Sequence, residues 1–303
     1  MAESTRDTRR VQWRLFKTFC SEHNLQAVPA STDTVCRYIA SLHGRGLQYN
    51  TIVSYTTSLT SLHHAADLEG PNMSHFSITE ALAGVKRTRT ELPNQRGALL
   101  PHHLLAINQH LHLVSSRYRQ TFWTACLLAF HTMVRSANLF ASNRKSSRHL
   151  TLQSVVPTHE GFILHLSALK NGRWQKKTVS IPITRNSNGA TLCSVTALQR
   201  SIVNRTDPQA PLLTFTRNGK DVPLTSSRFN RTLRKVLQCA GYDATRFSVH
   251  SFRRVVTTFA SQSGISTDCL KAQGNWKSEC YARYISRESD LRHIFASSLS
   301  SAL

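Results

Sequence analysis

One stretch of alternating apolar residues interrupts a chain whose other apolar residues recur at helical spacing. Between about residues 149 and 183, every second residue is apolar in the runs 162–166 and 179–181. The runs flank a segment that contains Asn171-Gly172, and Asn-Gly between alternating runs is a strong β-hairpin signal. The sequence therefore predicts a mainly α fold with a small antiparallel β-sheet.

Four helices are expected in the first 90 residues, and the third is the clearest. Its apolar residues recur at steps of three and four from Ile52 to Ala66. The first helix is expected from a cap at Thr8 to Asn24, the second from a cap at Ser31 or Thr32 to Gly44, and the fourth over about 79–89. Helices with such short connections form a compact bundle.

Residues 90–100, TELPNQRGALL, predict a linker, because Pro93, Asn94 and Gly97 all disfavour a helix. The predicted organisation is a helical domain over 1–89, a linker over 90–100 and a second domain over 101–303. Further helices of the second domain are expected at 101–114, 117–130, 190–204 and 225–239.

The charge of the chain is large and uneven. Lys and Arg number 38 against 16 Asp and Glu, giving a formal charge of +22 and a pI near 10.5. Residues 1–95 hold 10 basic and 8 acidic side chains, whereas residues 96–303 hold 28 and 8. Such an excess indicates a polyanionic partner, and charge alone leaves DNA and RNA equally open.

The seven cysteines include no Cys-x-x-Cys pair and no metal-ligand spacing with the histidines, so they indicate buried thiols of a reducing compartment. No apolar run reaches the roughly 18 residues of a membrane span, and the start of the chain lacks the apolar core of a signal peptide. We therefore expect an intracellular protein without a membrane partner, nuclear if DNA is its partner in a eukaryote.

The stretch 247–285 contains the candidate residues for phosphate chemistry. His250 and Arg253 stand three residues apart in a segment with helical spacing, so both project from one helix face. A short helix that Ser266 or Thr267 can cap follows and ends at Gly274. An imidazole beside a guanidinium is suited to handling a phosphate.

The order His-x-x-Arg, short helix, Gly-x-Trp and then Tyr eight residues after the Trp closely resembles the catalytic end of tyrosine recombinases, the phage-integrase family. Trp276 in place of the more usual second His, and the wording GNWKSECYARYI, are most similar to recombinases of eukaryotic DIRS and crypton mobile elements. Residues 8–90 resemble, more weakly, the SAM-like core-binding domain that closes over the far side of the DNA in this family.

The resemblance implies roles for residues that bind the phosphate. Arg253 and Arg135 would clamp the phosphate oxygens, although Asn138 stands where the family usually has an acid three residues after the first arginine. His250 would accept a proton or donate a hydrogen bond to a non-bridging oxygen. The indole of Trp276 can donate a hydrogen bond but cannot transfer a proton, and it can equally be a buried anchor.

The resemblance also implies a nucleophile and a general acid. Tyr284 would attack the phosphate, with Tyr281 one turn earlier as its rival. Lys170, at the hairpin turn, would protonate the leaving 5′ oxygen, and Lys176 and Lys177 are possible substitutes. Further DNA contacts are expected from Lys86, Arg87, Arg89, Arg173, Lys176, Lys177, Arg254 and Lys277.

The function implied by this resemblance is a site-specific DNA recombinase or integrase of a mobile element that works through a 3′-phosphotyrosyl intermediate. The chemistry, shared with type IB topoisomerases, needs no cofactor, metal or small-molecule substrate. Strand exchange implies a tetramer on synapsed double-stranded DNA. The rivals are a catalytically inactive, domesticated DNA-binding protein of the same fold and an RNA-binding protein, although neither stacking platforms nor glycine-arginine tracts occur.

Overall fold

The computed structural model describes residues 3–88, 97–141, 149–166, 178–186, 189–254 and 266–274. The chain divides into two compact units, Met1–Asn94 (unit 1) and Gln95–Leu303 (unit 2). The boundary between them lies inside the segment 90–100. Residues 97–100 pack on unit 2, where Leu99 is fully buried and the Gly97 N–H donates to the Arg246 carbonyl.

Unit 1 contains four helices: α1 (Glu3–Glu22), α2 (Thr32–Gly44), α3 (Tyr49–His64) and α4 (Phe76–Thr88). The expected cap at Thr8 was wrong, because no Gly or Pro in residues 3–8 stops α1 from extending toward the N-terminus. The expected start of α4 at 79 was also wrong. The Thr79 hydroxyl donates to the carbonyls of His75 and Phe76, so it lies inside the first turn.

The ends of the other helices of unit 1 follow local chemistry. The Ser31 hydroxyl accepts from the Thr34 N–H at 3.1 Å, so Ser31 and not Thr32 caps α2. Asn24, just after α1, adopts the left-handed conformation with φ 52°. Ala66 lies beyond the end of α3. The buried core of the unit includes Phe16, Tyr38, Ile39, Leu42, Ile52, Leu59 and Ile78.

Unit 2 is also mainly helical in its described part. Its helices are α5 (Pro101–Gln109), α6 (Ser116–Thr132), α7 (Ser136–Leu139), α8 (Ser194–Ile202), α9 (Ser226–Cys239), α10 (249–254) and α11 (Thr267–Gly274). The predicted helix over 101–114 was too long, because the chain tightens into a 3₁₀ turn at Leu111–Leu113. The Ser266 hydroxyl accepts from the Cys269 N–H at 3.3 Å and caps α11.

The expected antiparallel sheet is present. Strands β1 (Val155–Pro157), β2 (Gly161–Leu166) and β3 (Val179–Thr184) pair in that order, with Leu164 opposite Ile181. The predicted turn with Lys170 falls on residues outside the described ones. A second antiparallel pair, β4 (Thr214–Arg217) with β5 (Lys220–Pro223), was not predicted.

An aromatic cluster joins α6, α7, α9 and α10 in the core of unit 2. The Phe229 ring lies 5.3 Å from Phe122, 4.9 Å from Phe140 and 5.9 Å from Phe252 between centroids. Phe229 is fully buried. The ring thus packs against α6, against α10, which carries His250, and against the residue that follows α7, whose N-cap is Arg135.

Replacing Phe229 with Ala should destabilise unit 2 by about 3–5 kcal/mol, because a large cavity opens among these rings. Hydrogen exchange of α6 and α9 peptides in a urea series measures this loss within the intact chain. The matched control is Val203→Ala, at a largely exposed position, which should change the stability by less than about 0.5 kcal/mol. Equal effects of the two variants would contradict the packing described.

A buried histidine, His103, lies at the start of α5. Its Nδ1 accepts from the Leu100 N–H at 3.1 Å, and burial, together with the neighbouring His102, lowers the pKa of the imidazole from 6.5 to about 4. The unfolded chain therefore binds a proton that the folded one does not, so this contribution to stability is complete above pH 6.5 and declines toward pH 4. His103→Asn should show a shallower loss of unit 2 stability over this range than the parent chain. Parallel pH profiles would contradict the prediction.

Candidate functional site

A buried guanidinium lies where three separate segments of unit 2 meet. Arg253, on α10, is only 4% exposed. Its Nη1 donates to the carbonyl of Met133, just after the end of α6, and its Nη2 donates to the carbonyl of Gly274 at 2.6 Å, at the end of α11. A cation at a helix C-terminus satisfies carbonyls that have no partner within the helix. One side chain therefore joins the ends of two helices.

The partners of Arg253 place other predicted site residues nearby. Met133 precedes Arg135 by two residues, and Gly274 precedes Trp276 by two residues. Two residues of chain span at most about 7 Å, so Arg135 lies close to the guanidinium whatever its local conformation. His250 stands one helical turn before Arg253 on α10. Residues more than a hundred positions apart in sequence thus share one region.

The start of α10 is held by side chains of neighbouring elements. The Asn230 carbonyl oxygen, on α9, accepts from the Val249 N–H at 2.8 Å, and the Ser251 hydroxyl accepts from the Ser248 N–H at 3.1 Å. These contacts satisfy amides that a helix start leaves without partners. His250, which follows Val249, is exposed, whereas Arg253 is buried. The imidazole can therefore meet a ligand arriving from solvent.

Arg135 lies half-buried at the start of α7. Met133, in the left-handed conformation with φ 52°, turns the chain after α6 and leads into this short helix. The next residue, Ser136, donates its hydroxyl hydrogen to the Ser226 hydroxyl of α9 at 2.9 Å. Asn138 is buried, so the position that the family usually gives to an acid faces the interior of unit 2.

Two residues that sequence reasoning missed tie α11 to α6. The Gln273 side chain donates to the His131 carbonyl at 3.3 Å, and the His131 ring contacts the Leu192 carbonyl at 3.0 Å. Burial lowers the pKa of the His131 imidazole, which favours its neutral form. A single polar residue in a helix gave no signal for this contact, whereas Asn230 could have been suspected as a polar residue among the apolar positions of α9.

The structure brings together Arg135, His250 and Arg253 in unit 2. Arg254 beside them is half-exposed. Lys86 and Arg87 are exposed at the end of α4 in unit 1, and Arg87 forms an ion pair with Glu80 at 3.6 Å. The other predicted site residues lie outside the described residues: Arg89, Lys170, Arg173, Lys176, Lys177, Trp276, Lys277, Tyr281 and Tyr284.

Within the part of the chain that the structure describes, no group of three or more His, Cys, Asp or Glu side chains could hold a metal ion. None of the helices described is both long and apolar enough to cross a membrane.

Comparisons with known proteins show what this fold resembles. No protein-family model matches the sequence. A curated relative, an integrase/recombinase XerD homolog of Selenomonas ruminantium, is 22% identical over 284 residues, covering 92% of this chain and 80% of the relative.

Solved structures align over nearly the whole chain. The Tn1549 transposon integrase in complex with transposon right-end DNA aligns with a TM-score of 0.66 at 15% identity, over 99% of this chain and 95% of the other. The XerH site-specific recombinase bound to palindromic difH aligns with 0.64 at 13%, over 94% and 75%. A lambda integrase dimer bound to a COC′ core site aligns with 0.61 at 15%, over 95% and 74%. The chain thus has the fold of tyrosine recombinase integrase domains.

The two hydrogen bonds of Arg253 should stabilise the end of α11 in the chain without DNA. Removing its side chain leaves two buried carbonyls without their charged donor, at a cost of about 1.5–3 kcal/mol for each lost bond. In Arg253→Ala, amides near the end of α11 should therefore exchange roughly tenfold to hundredfold faster, as hydrogen-exchange mass spectrometry can measure. Arg254→Ala, at the half-exposed neighbour, serves as the control. Unchanged exchange in Arg253→Ala would contradict the bridging role.

Proposed function

We propose that this chain is a site-specific DNA recombinase that cuts and rejoins DNA through a 3′-phosphotyrosyl intermediate. One observation carries the proposal: Arg253 joins the segment just before Arg135 to the segment just before Trp276, with His250 on the same helix. The arginines and the histidine that phosphate chemistry needs come from two distant parts of the sequence, one around residue 135 and one at 250–253. Their gathering at one place, on a fold shared with integrases bound to DNA, supports phosphodiester chemistry.

In the proposed reaction, the Tyr284 oxygen attacks the scissile phosphorus. A new bond forms between this oxygen and phosphorus while the bond from phosphorus to the 5′ oxygen breaks. Arg135 stabilises the charge on the non-bridging oxygens, since a guanidinium stays protonated and matches phosphate geometry. Arg253 holds the segment that leads into Arg135 through its bond to the Met133 carbonyl. His250, exposed at the start of α10, accepts the phenol proton or donates to an oxygen.

The leaving 5′ oxygen needs a proton, and Lys170 is the proposed donor, with Lys176 and Lys177 as substitutes. Trp276 would position the phosphate through its indole N–H. The 5′-hydroxyl of a partner strand then attacks the phosphotyrosine, which restores the phosphodiester and frees Tyr284. No bond energy is lost, so the reaction needs neither ATP nor a metal.

The basic surface supports DNA as the partner. The excess of 28 basic over 8 acidic residues in 96–303 suits a long polyanion. Lys86, Arg87 and Arg89 would add phosphate contacts from unit 1. Strand exchange requires several protomers, so we propose a tetramer on synapsed DNA. The Trp276 variation further supports an origin in a DIRS-type or crypton-type mobile element and, with it, a nuclear location.

Covalent trapping tests the proposal. Nicked duplex oligonucleotides that lose a short fragment after cleavage should yield a denaturation-resistant protein–DNA adduct. The adduct should persist in Tyr281→Phe and vanish in Tyr284→Phe, and Arg135→Ala should lower its rate of formation at least a hundredfold. The two Tyr→Phe variants are matched controls for each other, because each removes one hydroxyl from the same segment.

The opposite pattern for the two tyrosines would move the nucleophile by one helical turn. Tight, salt-sensitive DNA binding without an adduct on any substrate, including the termini of the element, would contradict the proposal. It would favour a domesticated DNA-binding protein of this fold.

A further inference from the structure

The unpredicted hairpin of β4 and β5 is a fixed, positively charged projection of unit 2. Its two-residue turn, Asn218-Gly219, has positive φ at both positions, 52° and 71°, as the tight turns that match strand twist require. Arg217 and Lys220 flank this turn and lie directly opposite each other in the pairing register. Both are exposed.

This arrangement is electrostatically unfavourable in the free protein. Directly opposed residues in an antiparallel pair have Cβ atoms about 5 Å apart, and like charges there repel. A third cation, Arg117, lies beside the turn, where it lines a shallow depression with Thr216, Asn218 and Gly219. Arg117 belongs to the first turn of α6, where a positive charge is also disfavoured by the helix dipole.

One acid within the hairpin partly offsets these charges. Asp221 accepts a hydrogen bond from the Thr216 hydroxyl at 3.3 Å, across the strand pair. Burial lowers the pKa of Arg205, and the negative charges of Asp221 and Asp207 partly offset this effect. We call Arg117, Arg217 and Lys220 the hairpin cluster. A single carboxylate shared with Arg205 leaves the cluster strongly positive.

The scaffold of the cluster is rigid. Phe215 of β4 is buried against Tyr118 at 5.4 Å, and the Thr121 hydroxyl of α6 donates to the Thr214 carbonyl at 2.7 Å. The Arg228 guanidinium lies 4.9 Å above the Phe215 ring. Because the backbone that carries these charges is already fixed, binding a ligand costs little conformational entropy of the hairpin.

The distance from the hairpin to the proposed site has an upper limit that follows from the chain between them. Lys220 stands six positions before Ser226, whose hydroxyl accepts a hydrogen bond from that of Ser136, the neighbour of Arg135. Six residues span at most about 21 Å, so Lys220 lies within about 30 Å of Arg135. Successive phosphates of a DNA strand are about 3.4 Å apart along the axis, so this reach corresponds to about nine base steps.

We propose that the hairpin cluster is a second DNA-backbone-binding surface, which holds phosphates within about nine base pairs of the scissile phosphate. This inference rests on the proposed function. The partner is duplex DNA, which the three cations of the cluster would bind through its phosphates. In the turn, Asn218 is the one side chain whose amide could read a base, so the contact is mainly to the backbone.

The test uses the double variant Arg217→Ala/Lys220→Ala of the full chain and a duplex oligonucleotide. Each lost phosphate contact reduces the slope of log K against log salt by about 0.9, so the slope should fall by about 2. Affinity should weaken equally on unrelated sequences. Hydroxyl-radical footprinting should lose protection only within about nine base pairs of the cleavage position.

The control is the double variant Arg185→Ala/Arg200→Ala, which removes two exposed positive charges elsewhere in unit 2. Its salt slope should change by less than half as much. The hairpin variant should unfold no earlier than the parent, because the substitution removes a repulsion. An unchanged slope, or equal changes in both double variants, would overturn the proposal.

A second readout separates this inference from the proposed function. At limiting protein on nicked DNA, the hairpin variant should form the covalent adduct more slowly than the parent, in proportion to its weaker DNA binding. Absence of the adduct in the parent would defeat the proposed function and leave the salt-slope result standing. If the variant instead keeps its DNA affinity and loses self-association, the cluster binds an acidic surface of a second copy and the proposal is wrong.

Discussion

The arrangement of the candidate site in unit 2 depends on the hydrogen bonds that the buried guanidinium of Arg253 donates. This guanidinium donates to the carbonyls of Met133 and Gly274, and so fixes the end of α6 against the end of α11. Hydrogen bonds from a charged donor are about twice as strong as neutral ones, and a buried carbonyl without a partner is costly. Gln273, the residue before Gly274, adds a second contact by donating to the carbonyl of His131, two residues before Met133. The position of Arg135 follows from this junction.

Helix α10 carries both a buried residue that organises the protein and an exposed residue that can meet a ligand. On α10, Arg253 points into the protein and His250 to its surface, so the same turn both organises the interior and meets the ligand. Asn230 holds the first amide of this helix, and Phe229 beside it packs against Phe122, Phe140 and Phe252. The candidate site therefore stands on a rigid base, as phosphate chemistry requires.

Local signals in the sequence predicted most of the fold. Alternation around Asn171-Gly172 predicted the β2–β3 pair, which is confirmed, and Ser31 was one of two caps considered for α2. The second hairpin was missed although Asn218-Gly219 is the same turn signal, because its strands are four residues long and mostly polar. The start of α1 was placed too late, since Thr8 is a good capping residue that a longer helix simply passes.

The candidate site was only partly predictable. His250, Arg253 and Arg135 were selected from spacing and resemblance, and all three lie in the same unit. That Arg253 would be buried and would bind two backbone carbonyls could not be read from the sequence, because its partners lie 120 and 21 residues away and depend on tertiary packing. The contacts of Gln273 and Asn230 share this origin.

The most direct measurement is an experimental structure of the Tyr284→Phe chain bound to a nicked duplex. The account predicts one phosphate of the DNA within hydrogen-bond distance of both Arg135 and His250, with the residue 284 ring in line with the 5′ oxygen. A complex in which the backbone passes elsewhere, with Arg135 and His250 more than about 6 Å from every phosphate, would contradict it.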